Sequence, residues 1–247
     1  MKRFNTRCFM RIFLVIAMIC IMGGCTGKKT APIQLTQNTG SDENAAVYAV
    51  INIRDFGTMK FRLLDKYAPD TVAFFTELVQ NGYFNNKPIY MVINDFCMIA
   101  GSASDDEYNG KPLICENDNT TDQKCYPLRG SLCYTEAVGQ NRYKASNFTV
   151  IQTGTSFLDE LEQFVNYKKV TLAEYFKQAY GNEISEEELK IFRKYGGAPW
   201  LNDHCIVFGQ LAEGEEVLDR ICAVEVSDDS GFEPVEEIII ESISIER

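Results

Sequence analysis

The chain has a single histidine, His204, and no two cysteines at CxxC spacing. Those absences leave little from which to build a zinc or related metal centre, which gathers thiolates and imidazoles in threes and fours. No metal and no cofactor is expected. Cations are scarce too: 24 lysines and arginines face 35 aspartates and glutamates. Four of the cations, Lys2, Arg3, Arg7 and Arg11, fall within residues 1–24, which hold no acid; the rest of the chain has 20 basic residues against 35 acidic ones, a net charge of -15. A surface this acidic repels polyphosphate, so nucleic acid is not an expected partner. There is no internal repeat, which excludes a solenoid.

A membrane-spanning run is also missing. The apolar stretch IFLVIAMICIM is well short of the roughly 20 residues that a spanning helix needs. It follows the positive segment MKRFNTRCFMR and ends at Met22-Gly23-Gly24-Cys25, an arrangement that resembles a bacterial lipoprotein signal. Residues 1–24 are then the signal peptide, and Cys25 is the lipidated first residue of an extracytoplasmic, membrane-anchored protein. The other reading, an uncleaved anchor, leads to the same compartment. Residues 25–45 are polar and without periodicity, as expected of a flexible tether. Cys8 and Cys20 leave with the signal, so six cysteines remain for the domain: Cys97, Cys115, Cys125, Cys133, Cys205 and Cys222. Outside the cytoplasm an even number permits disulfides, with Cys115 and Cys125 bracketing a polar loop as the local pair. Buried thiols are the alternative.

From Val47 the pattern is strand-like. VYAVINI and TMKFRLL form a β-hairpin; Ala68-Pro69-Asp70 opens a helix with Val72, Phe75, Leu78 and Val79 on one face, and Gly82 stops it. KPIYMVINDFCMIAG follows, two short apolar strands joined at Asn94-Asp95, with Lys87 its only other charge. A polar loop then leads to strands at 129–134 and 147–151. Residues 156–197 change to helix formers, with capping-box spacing at Thr171/Glu174 and Ser185/Glu188 and a stop at Gly196-Gly197. A strand at 205–209, a short helix at 214–222 and an alternating strand at 237–245 close the chain. The expected class is mainly β: a closed barrel plugged by two helices, with the helical insertion as an embellishment over 46–247.

The blocks GTMKFRLLDKYAPDTVAFFTELVQNGYF, IYMVINDFCMIAG, RGSLCYTEA, SNFTVIQT and PWLNDHCIVFGQLAEGEEVLDRI occur in the order seen in cyclophilins. This part of the chain resembles that family of peptidyl-prolyl cis-trans isomerases. The resemblance implies an eight-stranded antiparallel barrel with two capping helices, a groove for proline-containing or extended polypeptide, and an arginine that stabilises the twisted amide. At the matching positions this chain departs from the motif. Met91 stands for the arginine, Tyr90 for a histidine, Ile89 for a phenylalanine, Cys97 for a methionine, Ile99 for a glutamine, Thr149 for a phenylalanine and Cys205 for a histidine, whereas Phe96, Trp200 and Leu201 are kept.

Met91 is therefore the degenerate catalytic position, and Phe96, Cys97, Ile99, Thr149, Trp200, Leu201 and Cys205 are the expected peptide-binding set. A thioether cannot donate a hydrogen bond, so isomerase turnover on exported or surface proteins is expected to be weak. The alternative from another class is a non-catalytic interaction module on the same scaffold. Three other constellations are set aside. Met91, Cys97 and Met98 fit core packing better than a soft-metal site, and His204 and Cys205, adjacent on a strand, point to opposite faces. The acidic run 183–188 suits a helix N-terminus. Arg142 reads as a solvated loop cation rather than a substitute donor.

Overall fold

The computed structural model describes residues 46–102, 125–137, 142–143, 146–227 and 232–247. The leader, Cys25, the tether and Cys115 lie outside them. The domain opens with the hairpin of β1 (Tyr48–Ile53) and β2 (Gly57–Leu63). Alternation is clear in β1, where Ala49, Ile51 and Ile53 are buried; in β2 Met59, Phe61 and Leu63 keep the same period, with Arg62 buried as well, as expected of pleated strands with one face inward. Helix α1 (Pro69–Gln80) follows, with proline in its first turn, where no intrahelical hydrogen bond is lost. Its buried face is Thr71, Val72, Phe75, Leu78 and Val79.

The chain continues through β3 (Ile89–Ile93), β4 (Cys97–Gly101), β5 (Ser131–Ala137), the two-residue β6 (Arg142–Tyr143) and β7 (Asn147–Ile151). Three helices come next: α2 (Phe157–Tyr167), α3 (Leu172–Tyr180) and α4 (Glu186–Tyr195). Both capping boxes form, Thr171 with Glu174 and Ser185 with Glu188. A 3-10 turn (Pro199–Leu201), β8 (Cys205–Glu213), α5 (Glu215–Cys222), the small hairpin β9 (Val226–Ser227) and β10 (Glu233–Pro234), and β11 (Ile240–Glu246) complete the fold.

The strands pair in the order β11-β1-β2-β8-β5-β7-β4-β3, with β6 beside β5, and every pairing is antiparallel. The eight-stranded antiparallel sheet with helices agrees with the expected class; the expected closure needs correction. No ladder joins β3 to β11. The sheet curls strongly, and among the described residues its edges meet at the bridge between Pro88 and Ile239, flanked by hydrogen bonds from Asn86 N–H to Ile240 O at 2.8 Å, from Ile89 N–H to Ile238 O at 2.8 Å and from Ile240 N–H to Lys87 O at 2.9 Å. Pro88 has no N–H with which to extend that seam.

Two apolar layers result. Inside the curl, Phe61, Phe75, Phe84, Phe148 and Phe208 pack with the buried faces of α1 and α5. Outside it, Ile93, Cys97, Cys133, Ile151, Cys205 and Val207 pack against Leu158, Leu161, Leu172, Phe176, Leu189 and Phe192 of the three-helix insertion. Both faces of β4, β7, β5 and β8 are therefore covered, which is why apolar residues occupy both faces of these strands rather than alternating with charged ones. The insertion has a narrow root: Gly197 N–H donates to Thr153 O at 3.0 Å. Gly197 has φ +120°, and a Cβ there would lie 2.4 Å from Pro127 O, so only glycine fits.

Two described arginines are buried, Arg62 and, more deeply, Arg129. The Arg129 side chain is 2% exposed and pairs with Glu215 at 3.2 Å and with Asp219, while also donating to Gln152 O. Gln152 Nε2 donates to the same Asp219 at 2.9 Å, so the end of β7 and α5 share one polar knot. Removing one partner of a buried pair leaves the other charges desolvated and unmatched. Arg129→Met should lower unfolding stability by about 3 kcal/mol, the low end of the usual range because the two carboxylates are partly hydrated; urea denaturation of both proteins measures it, and a loss below about 1 kcal/mol would refute the account.

Candidate functional site

The hairpin that holds Met91 turns at Asn94-Asp95. Phe96 N–H donates to Ile93 O at 3.0 Å, and Asp95 takes φ 59°, a left-handed value to which aspartate is better suited than most residues. Asn94 reaches away from the sheet, and its Nδ2 donates to Cys222 O at 2.7 Å and Val224 O at 3.2 Å. The only polar pair in this apolar segment thus makes the turn and docks it on the end of α5.

Strand register then places the candidates. Met91 lies opposite Ile99, Ile99 opposite Thr149, and Thr149 opposite Cys133. Cys133 in turn lies opposite Val207. Met91, Ile99, Thr149, Cys133 and Val207 form one row across five strands, on the face that carries the insertion. An irregularity between Ile89 and Met91 sets β3 so that Ile89 joins the inner layer and Met91 the outer. Cys97 sits one step along, opposite Ile151. Phe96, at the turn, meets the ring of Trp200 at 5.1 Å between centroids.

Exposure divides this set. Met91, Ile99 and Leu201 are partly exposed. Phe96 is buried at 6%, Trp200 at 5%, Thr149 at 2%, Cys205 at 2% and Cys97 at 1%. No member of the row is charged at neutral pH. Two polar atoms on this face are buried without a hydrogen-bond partner: the Thr149 hydroxyl and Trp200 Nε1. Met98 belongs to the inner layer, so it does not converge with Met91 and Cys97 on a common metal. His204 is exposed whereas Cys205 is buried, which keeps the two apart as a nucleophilic pair. The side chain of Arg142 lies outside the described residues.

Sequence reasoning missed three residues that the insertion brings to this place. Phe157 contacts the Trp200 ring at 5.0 Å, Tyr180 contacts it at 6.4 Å, and Asn182 hydrogen-bonds the backbone of Trp200. Amphipathic periodicity shows that these helices bury a face but not which surface receives it.

The cysteines here are buried thiols. Burial pushes Cys97 and Cys133 well above the ordinary thiol range, with a hydrogen bond to Cys205 adding to the effect at Cys133. Burial also raises Cys125 to about 11. A thiol that ionises near 9 when unfolded but near 11 when folded binds its proton more tightly in the native state over that interval. Stability is therefore undiminished below pH 9 and falls as pH rises towards 11. Denaturation midpoints should decline across this window, less steeply in Cys125→Ser. At pH 8 the native protein should resist iodoacetamide at Cys97 and Cys133 until urea is added, as peptide mapping would show.

Residues 48–245 match the family described as cyclophilin type peptidyl-prolyl cis-trans isomerase/CLD. A Staphylococcus haemolyticus protein named "Putative peptidyl-prolyl cis-trans isomerase" is 30% identical over 191 residues, spanning 77% of this chain and 87% of its own. A Staphylococcus saprophyticus protein of the same name is 28% identical over 190 residues, spanning 76% and 87%. Among solved structures, a Cryptosporidium parvum cyclophilin type peptidyl-prolyl cis-trans isomerase, crystallised in the presence of the dipeptide Ala-Pro, aligns with a TM-score of 0.55 at 20% identity, over 81% of this chain and 99% of that one. That likeness concerns the fold, whereas the match from Tyr48 to Ile245 decides kinship: this chain belongs to the cyclophilin-type peptidyl-prolyl cis-trans isomerase family.

Proposed function

We propose that this protein is a peptidyl-prolyl cis-trans isomerase-like lipoprotein that engages proline-containing or extended segments of exported or surface proteins, with turnover weakened at position 91. Rotation about an X-Pro bond sacrifices amide resonance and takes tens to hundreds of seconds unaided. Catalysis needs an apolar seat for the proline ring and a fixed donor that is matched better to the twisted amide than to the planar one. The apolar seat is supported by Phe96, Leu201 and the row from Met91 to Thr149. Among the described residues the row from Met91 to Val207 carries no charged donor, and that observation carries the reading: a thioether occupies position 91, and neither Ile99 nor Cys97 brings a charge.

Losing one preorganised donor typically costs about a hundredfold to a thousandfold in rate. The Thr149 hydroxyl and the Trp200 N–H remain as neutral donors on the same face, and neither supplies a permanent positive charge. The solved relative prepared with Ala-Pro supports proline peptides as the ligand class. The lipoprotein signal supports the compartment and the lipid anchor at Cys25.

A second reading, a non-catalytic interaction module, draws on the burial of Trp200 beneath insertion rings. Isomer-exchange kinetics on an Ala-Pro peptide separate the two. Slow wild-type turnover that rises about a hundredfold in Met91→Arg, but not in Met91→Leu, supports the weakened enzyme. No turnover in either protein, together with no binding of the peptide, supports the module.

A further inference from the structure

Trp200 is the chain's single tryptophan. Its Nε1–H is buried with no acceptor, an arrangement that is costly in a folded protein and that an incoming acceptor would relieve. The shield over this ring comes from the insertion. Phe157 stands at the start of α2, and Tyr180, at the end of α3, lies over the indole at an interplanar angle of 31°. Tyr180 is wedged by Tyr175 and Phe176, with ring centroids 6.3 and 6.0 Å away.

Asn182 fixes this end of the insertion to the turn that carries Trp200. It is 5% exposed, and its Nδ2 donates to Trp200 O at 3.3 Å and to Asn202 O at 2.6 Å, while its Oδ1 has no partner. Asn202 Nδ2 in turn approaches Glu188 Oε1 at 3.4 Å. Elsewhere the insertion is firmly held. Arg193 of α4 pairs with Asp159 and Glu162 of α2 at 2.6 and 2.9 Å, and Leu158, Leu161, Leu172, Phe176, Leu189 and Phe192 seat the helices on the sheet. The part that depends on Asn182 is the end of α3, from Tyr180 to Asn182, where Gly181 takes a left-handed φ of 81°.

We propose that Asn182 is a positioning residue that latches the end of α3 over Trp200, which makes Tyr180 a gate on the groove. Closed, it shields the indole. Open, it exposes the ring to the groove in which the proposed function seats a peptide. The peptide half of this statement rests on the function proposed above; the latch does not. Both contacts use the Nδ2 donor, so Asn182→Asp preserves shape, removes the donor and sets a carboxylate against two carbonyl oxygens. A residue that merely filled space would tolerate that change.

Fluorescence reads the gate directly, because all tryptophan emission comes from Trp200. Acrylamide should quench the wild-type protein weakly. Asn182→Asp and Asn182→Ala, with native circular dichroism, should each raise the quenching constant at least twofold. Affinity for an Ala-Pro peptide should tighten by the factor by which the open population grows. Tyr180→Ala, which removes the shield and leaves Asn182 in place, should raise quenching as well and keeps the test decisive if the Asn182 variants do not fold. Folded variants with wild-type quenching would overturn the gate. Raised quenching with no peptide bound by any variant would uphold the latch and refute the peptide groove.

Discussion

The constraint on which the rest depends is that half of the sheet is covered twice. β4, β7, β5 and β8 place one face in the interior of the curl and the other under α2, α3 and α4. A strand in that position must be apolar on both sides, because a charge on either would lose its hydration with nothing to replace it. Cys97, Ile99, Thr149, Cys133 and Val207 meet that demand, and so does Met91 at the rim. The uncharged groove and the insertion can be understood together: a guanidinium held against this layer would need acceptors that the layer does not contain.

Arg129 shows what a buried cation requires in this molecule. It has two carboxylates and a backbone carbonyl, and Asp219 is held in turn by Gln152. Among the described residues, no comparable set lies beside Met91 in its row. On the proposed reading, the demand that keeps the outer layer apolar leaves neutral donors and apolar contact at this surface, which suit binding of a proline segment better than its isomerisation.

Much of this was legible from residue order. The β1-β2 hairpin, the proline-led α1 and both capping boxes follow from spacing alone, since each depends on neighbours within a few residues. Contacts between distant segments were harder to read. β8 runs to Glu213 rather than stopping near Gly209, because Gln210 is satisfied inside the sheet by Ser131 and by Arg129 O. β5 pairs with both β7 and β8, and the barrel's seam depends on where Pro88 meets Ile239. At the site, motif spacing named the residues expected to share a groove, and strand register brings Met91, Ile99 and Thr149 into one row. It carried no information about the cover over them, because an amphipathic helix advertises a buried face without naming its partner. Phe157, Tyr180 and Asn182 became visible only once α2 and α3 were seated.

The narrow root of the insertion has a consequence for how such a chain lengthens. The 43 residues between Thr153 and Gly197 depart and return at neighbouring points on one side of the barrel, so the barrel's own strand pairings continue beneath them without a break. Length changes within this excursion leave the register of β7 against β4 and β5 unaltered, because those ladders end before it begins.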